Sequence, residues 1–102
     1  MTRGEVWLAE AGRKRRPVLV LTRTEVLDER TLVTVAEISS STRGIAAEVE
    51  LDHERVGLDR PSVINCDGLH TVTQASLASR VGTVDGTVMR KVCAAVAYAL
   101  GC

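Results

Sequence analysis

The stretch AEVELD, residues 47–52, alternates apolar and acidic side chains without interruption. In an extended chain this period of two places the three apolar side chains on one face and the three carboxylates on the other. The stretch therefore predicts a strand with one face in the core and one in water. Its outer face is acidic and should repel phosphate.

Five further short runs have the composition of strands, and they cover residues 5–10, 17–22, 32–39, 62–67 and 80–84. The second opens with Pro17, which a strand tolerates best as its first residue. In the run 62–67, which is the fifth of the six strands in chain order, residues 63, 65 and 67 should share one face, with 64 and 66 on the other. Strands of this length are typical of small barrels.

The last segment has a helical period instead, because apolar residues recur at spacings of three and four from Met89 to Leu100. Asp85 is placed to cap the start of this helix, and Gly101 follows its end. Its alanine-rich surface suits close packing, within the fold or across a dimer. Strands followed by one amphipathic helix predict an α+β, mostly β fold, as a single domain over residues 1–102.

The composition excludes several function classes. The chain has 102 residues, with 13 basic and 13 acidic side chains, so a protein that coats nucleic acid through net charge is not expected. With one Trp, one Tyr and no Phe, an aromatic platform for stacking bases is also not expected. No secretory signal or membrane-spanning apolar run is visible, so we expect a cytoplasmic protein without membrane contact.

The three cysteines, Cys66, Cys93 and Cys102, have no close paired spacing. This pattern fits neither a disulfide framework nor a metal site. We expect the first two to be small apolar core residues and the last to be a free thiol. No carboxylate and histidine cluster predicts a metal, and no glycine-rich loop predicts a nucleotide, so no cofactor is expected.

A basic cluster, Arg13-Lys14-Arg15-Arg16, lies between the first two predicted strands. It is either a solvated hairpin loop or a local phosphate site. Arg16 differs from its neighbours because the following Pro17 favours an extended backbone. Its guanidinium can therefore be held in one direction.

Polar residues end the third and fifth strands. Ser39 to Thr42, followed by Arg43, either satisfy a turn or surround a phosphate with hydroxyls. Asp67, beside Asn65 on one strand face, either closes its own turn or carries chemistry. The two histidines, at positions 53 and 70, are not in a nucleophile-elbow sequence and are interpreted as surface residues.

From about Arg3 to Gly101 the order of these pieces resembles the MazF/PemK family of toxin endoribonucleases. The matching segments read RGEVW (3–7), RPVLVL (16–21), VAEISS (35–40), GL (57–58), SVINCD (62–67) and RVG (80–82), before Met89 and LG (100–101). The resemblance implies an SH3-like barrel with a C-terminal helix that forms a homodimer. It also implies metal-independent cleavage of single-stranded RNA and restraint by a cognate, MazE-like antitoxin.

Carried over by position, the resemblance implies that Arg16, Ser39 and Asp67 are catalytic. Arg16 would stabilise charge on the phosphate, Ser39 would hydrogen-bond it, and Asp67 would orient or deprotonate the 2′-hydroxyl. Where the family commonly has proline before this hydroxyl region, the chain has Glu37. The predicted RNA contacts are Arg13, Lys14, Arg15, Ser40, Arg43, Asn65 and His70.

The loop of residues 11–15 is shorter than in many relatives, so we expect an open RNA groove. Sequence choice should then depend on groove-wall residues such as Asn65 and His70. Two alternatives remain from the sequence: a gyrase-poisoning toxin of the same fold, and an RNA-binding barrel without catalysis. The first is disfavoured because the chain ends Ala-Leu-Gly-Cys without the terminal tryptophan of such toxins.

Overall fold

A computed structural model describes the backbone of residues 1–102 and the side chain of every residue except Ala11. The strands are β1 (Glu5–Ala11), β2 (Lys14–Val20), β3 (Leu32–Ser39), β4 (Glu48–Leu51), β5 (Ser62–Thr73) and β6 (Leu77–Thr83). The helices are α1 (Thr24–Leu27) and α2 (Gly86–Leu100), with a 3₁₀ turn at Gln74–Ser76. No helix in this described chain is both long and apolar enough to cross a membrane.

The six strands form one antiparallel sheet in the order β4-β5-β3-β2-β1-β6. The predicted α+β, mostly β class and the six strands are confirmed. The edge strands β4 and β6 do not pair with each other, so the sheet curves as in a barrel without closing.

Each face of the sheet has its own core. The larger core lies on the face covered by α2, and its fully buried members are Val6, Leu19, Ala36, Ile64, Cys66 and Val92. The smaller core lies on the opposite face beside α1 and comprises Val18, Val20, Leu27, Val33, Val35 and Leu77. The alternation predicted for residues 47–52 is confirmed, because Ala47, Val49 and Leu51 are buried in the larger core.

Helix α2 begins and ends as predicted. Oδ1 of Asp85 accepts a hydrogen bond from the backbone N–H of Val88 at 2.9 Å, and Gly101 has a left-handed φ of 77°. Val92 and Ala95 face the core. The sequence analysis did not predict α1, because four residues are too few to show a helical period.

Strand β2 begins three residues earlier than predicted, and Pro17 lies inside it, opposite Leu8 of β1. The ladder between β2 and β3 runs only from Val18, which pairs with Glu37, to Val20. The first half of β2 therefore has one neighbour, and the missing N–H of proline interrupts no second ladder. Residues 14–16 consequently lie in a strand rather than in the predicted loop, and the turn itself is at Gly12 and Arg13.

Strand β5 was predicted to end at Asp67 but continues to Thr73. Its pairing with β3 joins Asn65 to Glu37 and then Leu69 to Ala36, so residues 66–68 form a bulge. The polar and glycine residues of this bulge look like a strand end in the sequence. Strand β6 likewise begins at Leu77 rather than Arg80.

The cysteines are unpaired, and only one of the two predicted core thiols is buried. Cys66 packs beneath α2, whereas Cys93 is exposed on α2, with Nη2 of Arg3 2.9 Å from its Sγ. The prediction for Cys93 is wrong because Cys93 lies on the outer face of α2, next to Val92, which faces the core. Cys102 is exposed, as predicted.

Candidate functional site

A groove of about 670 Å³ lies on the sheet face that carries the smaller core. Strands β1, β2, β3 and β5 form its floor, and the segment before β5 forms one rim. The polar residues most relevant to chemistry come from β2, β3, the segment after β3, and β5. They are Arg15, Arg16, Glu37, Ser39, Ser40 and His70.

Arg16 and Ser39 lie just beyond the end of the ladder between β2 and β3. Val18 and Glu37 are the last pair of that ladder, and Arg16 and Ser39 are each two positions beyond it on their own strands. Both side chains line the groove. Side chains two positions apart in a strand point to the same face, so Arg16 shares the face of Val18 and Ser39 that of Glu37. Two positions 23 apart in the sequence therefore line one groove.

The guanidinium groups of Arg15 and Arg16 are exposed and carry no ion pair with a carboxylate among the described side chains. Both therefore keep their N–H donors available for an anion. A guanidinium suits phosphate because its planar donors can bind two oxygens at once.

The hydroxyl of Ser39 is partly buried and closes the turn that follows β3. Its Oγ accepts a hydrogen bond from the backbone N–H of Ser41 at 3.0 Å. Ser40 and Ser41 also line the groove. The two interpretations of this serine run are thus compatible, since Ser39 organises the turn and presents its hydroxyl to the groove.

His70 and Glu37 form a hydrogen-bonded pair across β5 and β3, with 2.8 Å between Nε2 and Oε1. Each side chain is about half exposed, and both line the groove. The sequence analysis treated Glu37 only as a departure from the family pattern. The available signal was its position: it has the same parity as Val33 and Val35 in β3, so a charge stands where that face is otherwise apolar.

The second carboxylate oxygen of Glu37 lies against Gly68 in the β5 bulge. A Cβ atom at position 68 would overlap this oxygen and would also press on the amide of Asn65. The bulge therefore leaves room for Glu37 to reach His70.

Arg60 is a second groove residue that the sequence analysis missed. It lies in the segment before β5, next to Asp59, and its Nε is 3.7 Å from Oδ1 of Asp59. An isolated arginine in a loop carries no pattern that would single it out. It places a third guanidinium on the groove, on the rim segment rather than the β2 strand that carries Arg15 and Arg16.

Several predicted site residues lie outside the groove lining. Asn65 is buried, with 6% exposure, and its Oδ1 accepts a hydrogen bond from the backbone N–H of Asp67 at 3.0 Å. Asp67 is exposed in the bulge, which turns it away from the strand alternation that the sequence predicted. Arg13, Lys14 and Arg43 are exposed but do not line the groove.

Cys66 precedes Asp67 but has the properties of a packing residue. Burial raises the pKa of its thiol to about 11, and the charges of Asp67 and Cys93 act in the same direction. The thiol therefore stays protonated near neutral pH. No group of three or more His, Cys, Asp or Glu side chains suited to a metal ion is found in the described part of the chain.

Comparison with known proteins identifies the family of this chain. The sequence profile of the PemK-like, MazF-like toxins of type II toxin-antitoxin systems matches residues 2–100. The chain belongs to this family. The resemblance seen in the sequence is thereby confirmed.

Individual MazF proteins are similar over almost the whole chain. The probable endoribonuclease MazF5 of Mycobacterium tuberculosis is 37% identical, covering 98% of this chain and 93% of its own. The solved toxin MazF-mt6 of the same organism superimposes with a TM-score of 0.88 at 35% identity, covering 95% and 96% of the two chains. A MazE-MazF structure from Deinococcus radiodurans gives 0.83 at 25% identity, over 99% and 95%.

Proposed function

We propose that the groove binds single-stranded RNA and that the protein is a MazF-type endoribonuclease acting without a metal ion. The observation that carries this proposal is that Arg16 and Ser39 line the same open groove, with the guanidinium of Arg16 free of any ion pair among the described side chains. Relatives of this chain are named endoribonucleases, which supports the same activity. Groove geometry and family membership therefore favour RNA cleavage over a toxin that binds a protein target.

RNA supplies its own nucleophile. The 2′-hydroxyl attacks the adjacent phosphorus, the bond to the 5′-oxygen breaks, and the products are a 2′,3′-cyclic phosphate and a 5′-hydroxyl. The protein must therefore stabilise the negative charge that accumulates on the phosphate oxygens and must assist proton transfer.

We assign Arg16 to the stabilisation of the negative charge that accumulates on the phosphate oxygens. Its donors reach the phosphate from the strand floor, and such preorganised donors often make the largest single contribution to catalysis. Ser39 hydrogen-bonds the same phosphate, because no base contacts its hydroxyl to make it a nucleophile. Arg15, Ser40 and Arg60 bind the nucleotides that flank this phosphate in the same RNA strand.

Asp67 was expected from the family pattern to act on the 2′-hydroxyl. Its exposed position in the bulge, outside the groove lining, favours a different role. The hydrogen bond from its backbone N–H to Asn65 stabilises the bulge that shapes the groove wall. We assign Asp67 to that support and place Arg13, Lys14 and Arg43 as outer contacts that attract RNA by charge.

The partners follow from the family and the surface. A toxin of a type II system is restrained by a cognate antitoxin, here of the MazE kind. Its place of action is the cytoplasm, where its RNA is. The protein forms a homodimer, which the exposed apolar side chains of Tyr98 and Leu100 at the end of α2 support. Light scattering at micromolar concentration should give twice the 11.0 kDa chain mass.

The test is cleavage of a long RNA by the purified protein in excess EDTA, with analysis of the fragment ends. Cyclic phosphate and 5′-hydroxyl ends are expected, whereas 5′-phosphate ends would exclude the mechanism. Arg16→Ala should slow single-turnover cleavage by roughly a hundredfold or more. Arg13→Ala is the matched control, since it should weaken binding and leave the rate of the bound complex nearly unchanged.

A further inference from the structure

We propose that His70 is the general base that deprotonates the 2′-hydroxyl and that Glu37 positions it. This inference rests on the proposed function, because it assigns a proton acceptor within the same groove. The observation behind it is the hydrogen bond of 2.8 Å between Nε2 of His70 and Oε1 of Glu37.

One ring nitrogen of His70 is hydrogen-bonded to Glu37 and the other has no hydrogen-bond partner in the described part of the chain. Glu37 accepts a hydrogen bond from Nε2–H, which favours the neutral tautomer that carries its proton there. Nδ1 then has a lone pair, and it has no hydrogen-bond partner among the described atoms. A neutral imidazole in a groove with one nitrogen fixed by a carboxylate is equipped to take a proton from a bound hydroxyl.

Nδ1 of His70 takes the proton of the 2′-hydroxyl as the 2′-oxygen forms its bond to phosphorus. The bond between phosphorus and the 5′-oxygen breaks, and that oxygen takes a proton from water in the open groove. The imidazolium returns its extra proton to the solvent, so the protein ends unchanged. While the imidazole of His70 is protonated, the carboxylate of Glu37 stabilises its positive charge.

The surroundings of His70 distinguish this role from a simple RNA contact. The other charged side chains lining the same groove come from β1, β2 and the segment before β5, and they are Glu10, Arg15, Arg16, Asp59 and Arg60. None of the five forms an ion pair with His70 within 4.0 Å. Glu37 is thus its dedicated partner.

The pair lies on the same face of β3 as Ser39. His70 pairs with Val35, and its side chain reaches along β3 to Glu37, which is two residues before Ser39. His70 reaches the same groove from β5, on the opposite side of β3 from Arg16. An RNA strand bound along β3 in this groove would pass from Arg16 and Ser39 to Glu37 and His70, so the ribose next to a phosphate at Ser39 would lie on the side of His70.

The experiment measures single-turnover cleavage of one RNA oligonucleotide at saturating protein, from pH 5 to pH 9. The variants are His70→Gln, His70→Ala and Glu37→Gln, with His53→Gln as the control histidine outside the groove. His70 and Glu37 are about half exposed, so circular dichroism should show each variant folded. A second substrate carries sulfur in place of the 5′-oxygen, because a thiolate leaves without needing a proton.

We expect His70→Gln and His70→Ala to lose about a hundredfold to ten-thousandfold in rate. The wild-type rate should rise with pH, and both variants should lose that rise. Glu37→Gln should lose roughly tenfold or more, and added imidazole should partly restore His70→Ala. The losses of rate in the His70 and Glu37 variants should also be seen with the substrate that carries sulfur in place of the 5′-oxygen. His53→Gln should cleave like the wild type.

Three results would overturn the assignment. The first is an unchanged rate in His70→Gln, and the second is loss of RNA affinity alone at an unchanged bound rate. The third is full recovery of His70→Ala on the sulfur substrate, since that would make His70 the acid for the leaving group. In each of these three cases the wild type still cleaves and Arg16→Ala is impaired, so the proposed function stands. A wild type that yields no cyclic phosphate would instead contradict the proposed function itself.

Discussion

The carboxylate of Glu5 accepts a hydrogen bond from the indole of Trp7, with 3.1 Å between Oε1 and Nε1. The same oxygen accepts from the backbone N–H of Thr2 at 2.7 Å, and Nη1 of Arg80 is 3.5 Å from the other oxygen. Glu5 is 9% exposed. Burial by itself would raise the pKa of Glu5, but these hydrogen bonds and the positive charges of the N-terminus and Arg80 hold it below its usual value of 4.5.

A carboxyl with a lowered folded pKa stabilises the fold above its unfolded pKa and loses that contribution as pH falls through the folded value. The wild type should therefore lose stability as pH falls below about 4.5. Glu5→Gln should be less stable at pH 7 by about 1–3 kcal/mol, with a weaker dependence on acid. Urea unfolding at pH 7 and pH 3.5 measures both, with the exposed Glu50→Gln as control. Equal acid sensitivity of Glu5→Gln and wild type would contradict the assignment.

Arg60 should contribute to RNA affinity from the rim. Arg60→Ala should weaken binding and reduce the slope of log affinity against log salt by roughly one. Arg55 is the matched control, because it is also exposed but lies outside the groove, beside Asp85. Fluorescence anisotropy with a labelled oligonucleotide at several salt concentrations measures both variants. If Arg55→Ala weakens binding as much, the effect belongs to overall charge and not to the groove.

Asn65 should affect stability more than sequence choice. Asn65→Ala removes the acceptor for the backbone N–H of Asp67 in the bulge, at a cost of about 1–3 kcal/mol in the free energy of unfolding. This replaces the expectation, drawn from the sequence, that the residue reads RNA bases. Sequencing the cut ends from one transcript pool should give the wild-type pattern at a temperature where the variant is folded. A changed pattern would restore Asn65 to the groove wall.

The three thiols should differ in reactivity. Burial keeps the pKa of Cys66 near 11, so at pH 7.5 it has almost no thiolate and little access to reagent. Iodoacetamide should label Cys93 and Cys102 in the folded protein and reach Cys66 only after denaturation. Peptide mass spectrometry reads the three sites separately. Early labelling of Cys66 in native protein would show that the core beneath α2 opens readily.

Much of the fold can be predicted from local patterns. The alternation of residues 47–52 and the spacing after Asp85 each report a single element and its buried face. The extension of β5 past Gly68 could not be predicted, because a bulge interrupts the period of two with residues that usually end a strand. The start of β2 at Lys14 could not be predicted for a related reason. Pro17 looks like the first residue of a strand, but it is tolerated inside β2 because β3 pairs with β2 only from Val18 onward.

The site was harder to predict than the strands. Arg16 and Ser39 could be selected through the family pattern, and both line the groove. The contact between Glu37 and His70 joins residues 33 apart and depends on a bulge that the sequence analysis did not place. Side-chain pairs across strands follow from register, and one inserted or displaced residue changes every pairing beyond it.

Because Glu37 occupies the space beside Gly68, a substitution at position 68 can disturb the groove even though this position need not touch RNA. A single added methyl group there would occupy the place of the Glu37 carboxylate and push it away from His70. Every RNA-facing side chain would still be present, and the core on either face of the sheet would be intact. Cells selected to survive production of this protein should therefore yield folded escape mutants at position 68 as well as at Arg16, and a map of such mutants would not coincide with the map of RNA contacts.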